Sequence, residues 1–163
     1  MNVLTAERLR EAIEYDPETG DFRWRIGLSR RVCPGAPAGF IVDGYRRIGL
    51  DGKRYWAARL AWLYVHGVHP TGQIDHIDGD PLNNRISNLR DVSHAVNQQN
   101  QRRAHHQNKL GMLGVVEDKR SGKFLARIFV NGKTKFLGSY RDPAEAQQAY
   151  IEAKRALHAG CTI

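Results

Sequence analysis

A chain of 163 residues, 41% hydrophobic and 26% charged, has room for one ordinary domain or two small ones with modest cores. Its formal net charge of +8 suits a polyanionic partner, because each neutralised phosphate releases condensed counterions. Cys33 and Cys161, far apart, exclude a zinc ribbon and a disulfide framework; with no apolar run near the ~20 residues of a membrane helix and no signal-peptide pattern, a cytoplasmic location is expected.

Residues 4–14 read as a short helix, with Thr5 as N-cap, Leu4 and Leu9 stapled around it, and Leu9, Ala12 and Ile13 on one face. Residues 16–20 make a turn, after which Phe22, Trp24 and Ile26 alternate as a strand should. Residues 27–43, rich in Gly, Pro and Arg, are expected to form an ordered loop. Two extended runs over 45–57 flank Asp51-Gly52, a strong hairpin signal. Arg46, Arg47, Lys53 and Arg54 crowd that hairpin and can grip a DNA backbone or simply keep a sheet edge soluble. Ala57, Leu60, Ala61, Tyr64 and Val65 recur at helical spacing and stop at Gly67, so this helix is buried, with Trp62 and Tyr64 in the core.

Residues 73–75 and 89–92 can pair as two short strands around a polar loop holding Gly79, Pro81 and Asn84. Ser93 then caps a helix whose second turn carries Asn97. Residues 98–110 are almost wholly polar and basic, an extension of that helix fraying into a linker that crosses phosphates, with Arg102 and Arg103. From Gly114 three strands are expected over 115–117, 124–130 and 134–137, turning at Ser121-Gly122 and Asn131-Gly132. A final helix starts with Asp142 as N-cap, Pro143 at the first helical position and Glu145 as capping-box partner. Its core face is Ala146, Ala149, Tyr150, Ala153 and Leu157.

The segment 75–97 carries the chemistry. Hydrolysis of a phosphodiester needs an activated water, shielding of charge on the phosphate, and help for the leaving oxygen. Asp75 and Asn97 offer carbonyl-type oxygens suited to one hard divalent cation, Mg²⁺ first and Mn²⁺ as the alternative, and not to zinc. His76 has an unperturbed basicity close to neutral and can take the proton from the attacking water. Neighbours in a strand point to opposite faces, so Asp75 and His76 serve one metal–water pair only if the chain bends there. Asn88, in the loop, is placed to hold backbone groups so that the bend and the imidazole stay fixed.

Asp75-His76-Ile77-Asp78-Gly79-Asp80, Asn83-Asn84, Asn88-Leu89 and Asn97 resemble the HNH family of ββα-metal nucleases, in the variant whose last motif residue is Asn. Residues 59–62 and 15–20 resemble the flanks of phage-encoded members, although Ala58 stands where relatives often have His. The resemblance implies Asp75 and Asn97 as metal ligands, His76 as general base, Asn88 as the loop-orienting residue, and cleavage leaving 5′-phosphate and 3′-hydroxyl ends. Residues 114–115, 124–128, 137–140 and 144–150 resemble the AP2 DNA-binding domain, which lays its sheet in the major groove. Val116 and Asp118 replace the arginines that plant relatives carry, leaving Arg120, Lys123, Arg127, Lys133 and Lys135 as candidate DNA contacts.

The expected architecture is α+β: an HNH nuclease domain over 1–104, a linker over 105–112, and an AP2-like three-stranded antiparallel sheet backed by one helix over 113–163. The expected activity is a metal-dependent DNA endonuclease of homing or nicking type, acting on double-stranded DNA, with no membrane partner and the oligomeric state open, a monomer included. Two other readings stand beside it: a non-catalytic DNA-binding protein that keeps the nuclease fold, and a nuclease for RNA or for particular nucleic-acid structures. Intact Asp75, His76 and Asn97 speak against the first of these.

Overall fold

The computed structural model describes residues 3–27, 32–105 and 107–163. It groups the chain into two units, Met1–Ser93 and His94–Ile163, each with its own core. Both mix helices with small antiparallel sheets, which is the α+β class.

In the first unit, α1 (Ala6–Ala12) opens on Thr5, whose hydroxyl accepts the Arg8 N–H at 3.2 Å. The helix is shorter than the expected 4–14, because Ile13 and Tyr15 are buried on alternate positions of a strand, β1 (Ile13–Tyr15), paired with β2 (Phe22–Trp24). Inside the stretch expected as loop, β3 (Phe40–Val42) pairs with β4 (Tyr45–Leu50), and β4 pairs with β5 (Lys53–Trp56). The hairpin is thus the larger part of a three-stranded sheet; residues 28–31 of the expected loop lie outside the described residues. Asp51 and Gly52 turn β4 into β5 with φ of 50° and 76°, the mirror-image turn that matches strand twist.

Helix α2 (Ala57–His66) ends at Gly67 and buries Ala57, Leu60, Ala61 and Leu63. Leu63 takes the core position expected of Val65, which is exposed. Leu9, Ile13, Phe22, Ile48, Leu50, Leu60 and Leu63 make the centre of this core, each at most 1% exposed. Removing such a side chain to Ala costs about 2–5 kcal/mol. A separate two-stranded ribbon, β6 (Gln73–His76) with β7 (Leu89–Val92), carries the segment of chemical interest.

In the second unit, α3 (His94–Gln99) stops where a longer helix was expected, and Asn100, directly after it, is buried. Strands β8 (Val115–Asp118), β9 (Lys123–Val130) and β10 (Lys133–Tyr140) form an antiparallel meander. Helix α4 (Pro143–Leu157) packs on it, capped by Asp142, whose carboxylate accepts the Ala144 N–H at 3.0 Å. Val115, Ala126, Ile128, Ala146 and Tyr150 fill the space between. Leu157, expected in that face, is exposed, and Lys154 is buried at 1% exposure. The division expected at 104 and 113 falls inside this unit. Asn108 there donates to the Met112 and Val115 carbonyls at 2.6 and 3.2 Å, and Leu110 and Met112 pack on the unit's apolar cluster. His106 of the expected linker lies outside the described residues.

Candidate active site

The entry to β6 is fastened from two sides. Arg59 on α2 donates to the Gly72 carbonyl at 2.9 Å and the Pro70 carbonyl at 3.2 Å. From β7, the Asp91 carboxylate accepts the N–H groups of Thr71 and Gly72 at 2.7 and 2.8 Å and the Thr71 hydroxyl at 3.0 Å. Burial pushes the Asp91 carboxyl up, but these hydrogen bonds and Arg59 together bring it below the usual carboxylate range.

Antiparallel register sets Asp75 opposite Arg90 and His76 opposite Leu89. Asp75 is buried, and its Oδ2 accepts from Arg90 Nε at 2.7 Å and Nη2 at 2.6 Å, a two-pronged charge-assisted pair. His76 is the last residue of β6, and the Gly79 N–H closes back on its carbonyl at 2.9 Å. The chain leaves strand geometry directly after the imidazole-bearing residue, since the turn starts there.

The loop between the strands is tied across by one amide. Asn88, itself buried, accepts the Asp78 N–H at 3.0 Å and donates to Asp78 Oδ1 and to the Asn83 carbonyl, both at 2.9 Å. Burial pushes the Asp78 carboxyl up; hydrogen bonds from Asp80, Asn83 and Asn88, and the nearby His76, outweigh that and lower it. A depressed carboxylate stabilises the loop above its ordinary range near pH 3.8, and that contribution fades as pH falls through the lowered value.

Asn84, expected only as a residue of the polar loop, takes a defined role in the structure. It is 1% exposed, and its Oδ1 lies 3.3 Å from His76 Nε2 while its Nδ2 donates to the Leu82 carbonyl at 3.2 Å. With the amide turned that way, Oδ1 is an acceptor, so the tautomer of the neutral imidazole that makes this bond donates from Nε2 and carries its lone pair on Nδ1. Asn84 is in turn held by the N-terminal segment. Tyr15 Oη donates to the Asn84 carbonyl at 2.7 Å, and the Ile86 N–H reaches the Pro17 carbonyl at 3.1 Å. The signal for it was there in Asn83-Asn84 and in residues 15–20, but only as separate pieces of a pattern.

Tyr45 of β4 sets its ring centroid 6.5 Å from that of His76. The basic residues of this sheet divide by strand alternation. Arg47 and Arg54 share a face with Phe40, Tyr45 and Trp56; the Arg47 guanidinium lies 3.8 Å over Trp56 and that of Arg54 lies 5.8 Å over Phe40. Arg46 and Lys53 project to the side of Ile48 and Leu50.

In the second unit, Lys123 and Arg127 project from the face of the meander opposite Ala126 and Ile128, which α4 covers. Lys133 and Lys135 pair with Val130 and Ile128 and so alternate to the other side. Arg120 and Arg103 are exposed, while Arg102 is engaged with Thr162 of its own unit at 2.8 and 3.0 Å. Asn97 is on α3 and so belongs to the second unit, whereas Asp75, His76 and Asn88 belong to the first.

Asp75 fits a hard cation in its chemistry: a buried carboxylate pre-oriented by a guanidinium on one oxygen. Among the described residues no three side chains of His, Cys, Asp or Glu gather, so a cation at Asp75 completes its shell with amide, phosphate or water oxygens. Also among the described residues, no helix is long and apolar enough to cross a membrane.

Residues 55–99 match the family model described as HNH endonuclease. By that segment, running from β5 to α3, the chain is a nuclease enzyme. Among solved structures it is similar to the HNH homing endonuclease I-HmuI, studied for DNA binding and cleavage, at 21% identity and a TM-score of 0.42 over 91% of this chain and 88% of that one. No curated protein gives a match.

Proposed function

We propose that the protein is a metal-dependent DNA endonuclease that hydrolyses phosphodiester bonds in double-stranded DNA, as a homing or nicking enzyme. The observation that carries this reading is His76: buried at the end of β6 beside Asp75, held through Nε2 by Asn84, within a segment that matches HNH endonucleases. HNH nucleases generally depend on a divalent metal.

His76 acts as the general base, receiving the proton of the attacking water at Nδ1. Asn88 keeps the loop, and through it Asn84 and the imidazole, in one arrangement. Asp75 would offer a carboxylate oxygen to one divalent cation, Mg²⁺ before Mn²⁺, with Asn97, the last residue of the motif, as the second donor. Such a cation, when bound, shields charge on the scissile phosphate and stabilises the leaving oxygen. The Arg47 and Arg54 face of the first sheet supplies phosphate contacts. The meander and helix of the second unit, AP2-like, bring the DNA into register through Lys123 and Arg127.

The test is conversion of supercoiled plasmid to nicked or linear DNA in Mg²⁺, with full loss of conversion in EDTA. Cleavage that persists in EDTA would overturn the metal-dependent mechanism. A second measurement probes the base itself. Asn84→Asp places a carboxylate against the imidazole, favours its protonated form, and should move the acidic limb of the pH–rate profile up by about one unit. An unmoved limb would remove Asn84 from contact with the reacting base.

A further inference from the structure

Helix α3 has six residues and buries none of them, too little to persist alone in water when isolated helices need roughly 12–15. Yet it carries Asn97. Residues near the end of the sequence hold it within its own unit. The Gly160 N–H donates to Gln99 Oε1 at 3.0 Å, and the approach is so close that a Cβ at 160 would stand 2.3 Å from the Val96 carbonyl oxygen. The buried Lys154 of α4 donates its ammonium to the Gln101 carbonyl, just past the end of α3. Thr162 donates through Oγ1 to the buried Asn100 side chain, and its own carbonyl and hydroxyl accept from Arg102 at 3.0 and 2.8 Å. Arg155 of α4 closes the frame by holding the Ile163 carbonyl at 3.0 Å.

A lysine at 154, where helical spacing calls for an apolar core residue, is costly to bury, and burial does lower its basicity. Its ammonium donates to the backbone carbonyl that follows the helix of Asn97, so the position serves that backbone.

We propose that Lys154, Gly160 and Thr162 are positioning residues for the metal ligand on α3, so that the C-terminal tail is part of the nuclease machinery and not only a tether for DNA. This rests on the reading of Asn97 as a ligand. The tail fixes the backbone on both sides of residue 97, and outer contacts that orient a ligand typically set metal affinity by 10–100-fold.

The experiment uses the full chain with Thr162→Val, which keeps shape and removes the hydroxyl, Thr162→Ser, which restores it, and Lys154→Met. Amide hydrogen exchange over residues 94–101, without metal, and the half-saturating Mg²⁺ for plasmid cleavage are read on each. Expected are faster exchange in Thr162→Val and Lys154→Met, a roughly tenfold higher Mg²⁺ requirement, and near wild-type values in Thr162→Ser. Unchanged exchange overturns the proposal, and so does faster exchange with an unchanged Mg²⁺ requirement. Asn97→Ala separates the causes: if it raises the Mg²⁺ requirement while Thr162→Val does not, the clamp alone is wrong. If neither does, the ligand reading of Asn97 fails and the clamp falls with it.

Discussion

His76→Ala should abolish detectable plasmid cleavage while leaving DNA binding intact. A positioned general base contributes roughly 10²–10⁴-fold to such a reaction, and alanine cannot accept the proton at any pH. The loss belongs to kcat, because the imidazole interacts with the water's proton only as the reaction proceeds. The substitution also leaves the Asn84 amide oxygen without its ring partner, which lies 3.3 Å away, so His76→Gln is the informative companion. Glutamine can donate to Asn84 yet has no basic lone pair. Equal cleavage by wild-type protein and His76→Ala would place the base elsewhere and sink the mechanism.

Gly20→Ala should destabilise the first unit heavily, far from the reacting groups by sequence. Gly20 has φ of +79°, and a Cβ there would stand 2.7 Å from the Arg85 nitrogen and from the Asn84 carbonyl carbon, both backbone atoms. Left-handed strain and the forced shift of a packed loop together cost of order 3 kcal/mol. A domain of this size should then melt roughly 10–20 °C lower. Cleavage should fall as well at temperatures where the variant is folded, since the displaced loop holds Asn84 against His76. A melting temperature within about 2 °C of wild type would show that the 15–20 turn yields freely and does not brace the site.

Much of the fold was legible from local patterns. Thr5 and Asp142 cap helices because short polar side chains reach orphan N–H groups, and Asp51-Gly52 turns a hairpin because both adopt positive φ. Local patterns failed where the partner is distant. Ile13 reads as helical beside Leu9 and Ala12, but β2 recruits it into a strand. Phe40–Val42 looks like loop until β4 offers it a ladder. Lys154 and Leu157 exchange expected places, because helical spacing cannot know that the Gln101 carbonyl waits beside α4.

For the site the division is similar. The residue types and their order from Asp75 to Asn97, and with them the match to HNH endonucleases, were determined by the sequence alone, because motif spacing and side-chain chemistry are local properties. Only the tertiary structure decided what surrounds them. Arg90 meets Asp75 through strand register, Tyr15 and Gly20 brace Asn84 across nearly seventy residues of chain, and Gly160 and Thr162 meet the end of the Asn97 helix from the C-terminus. Such contacts join segments whose separation in sequence carries no trace of their meeting. They arise from packing, and packing is settled by the whole chain at once.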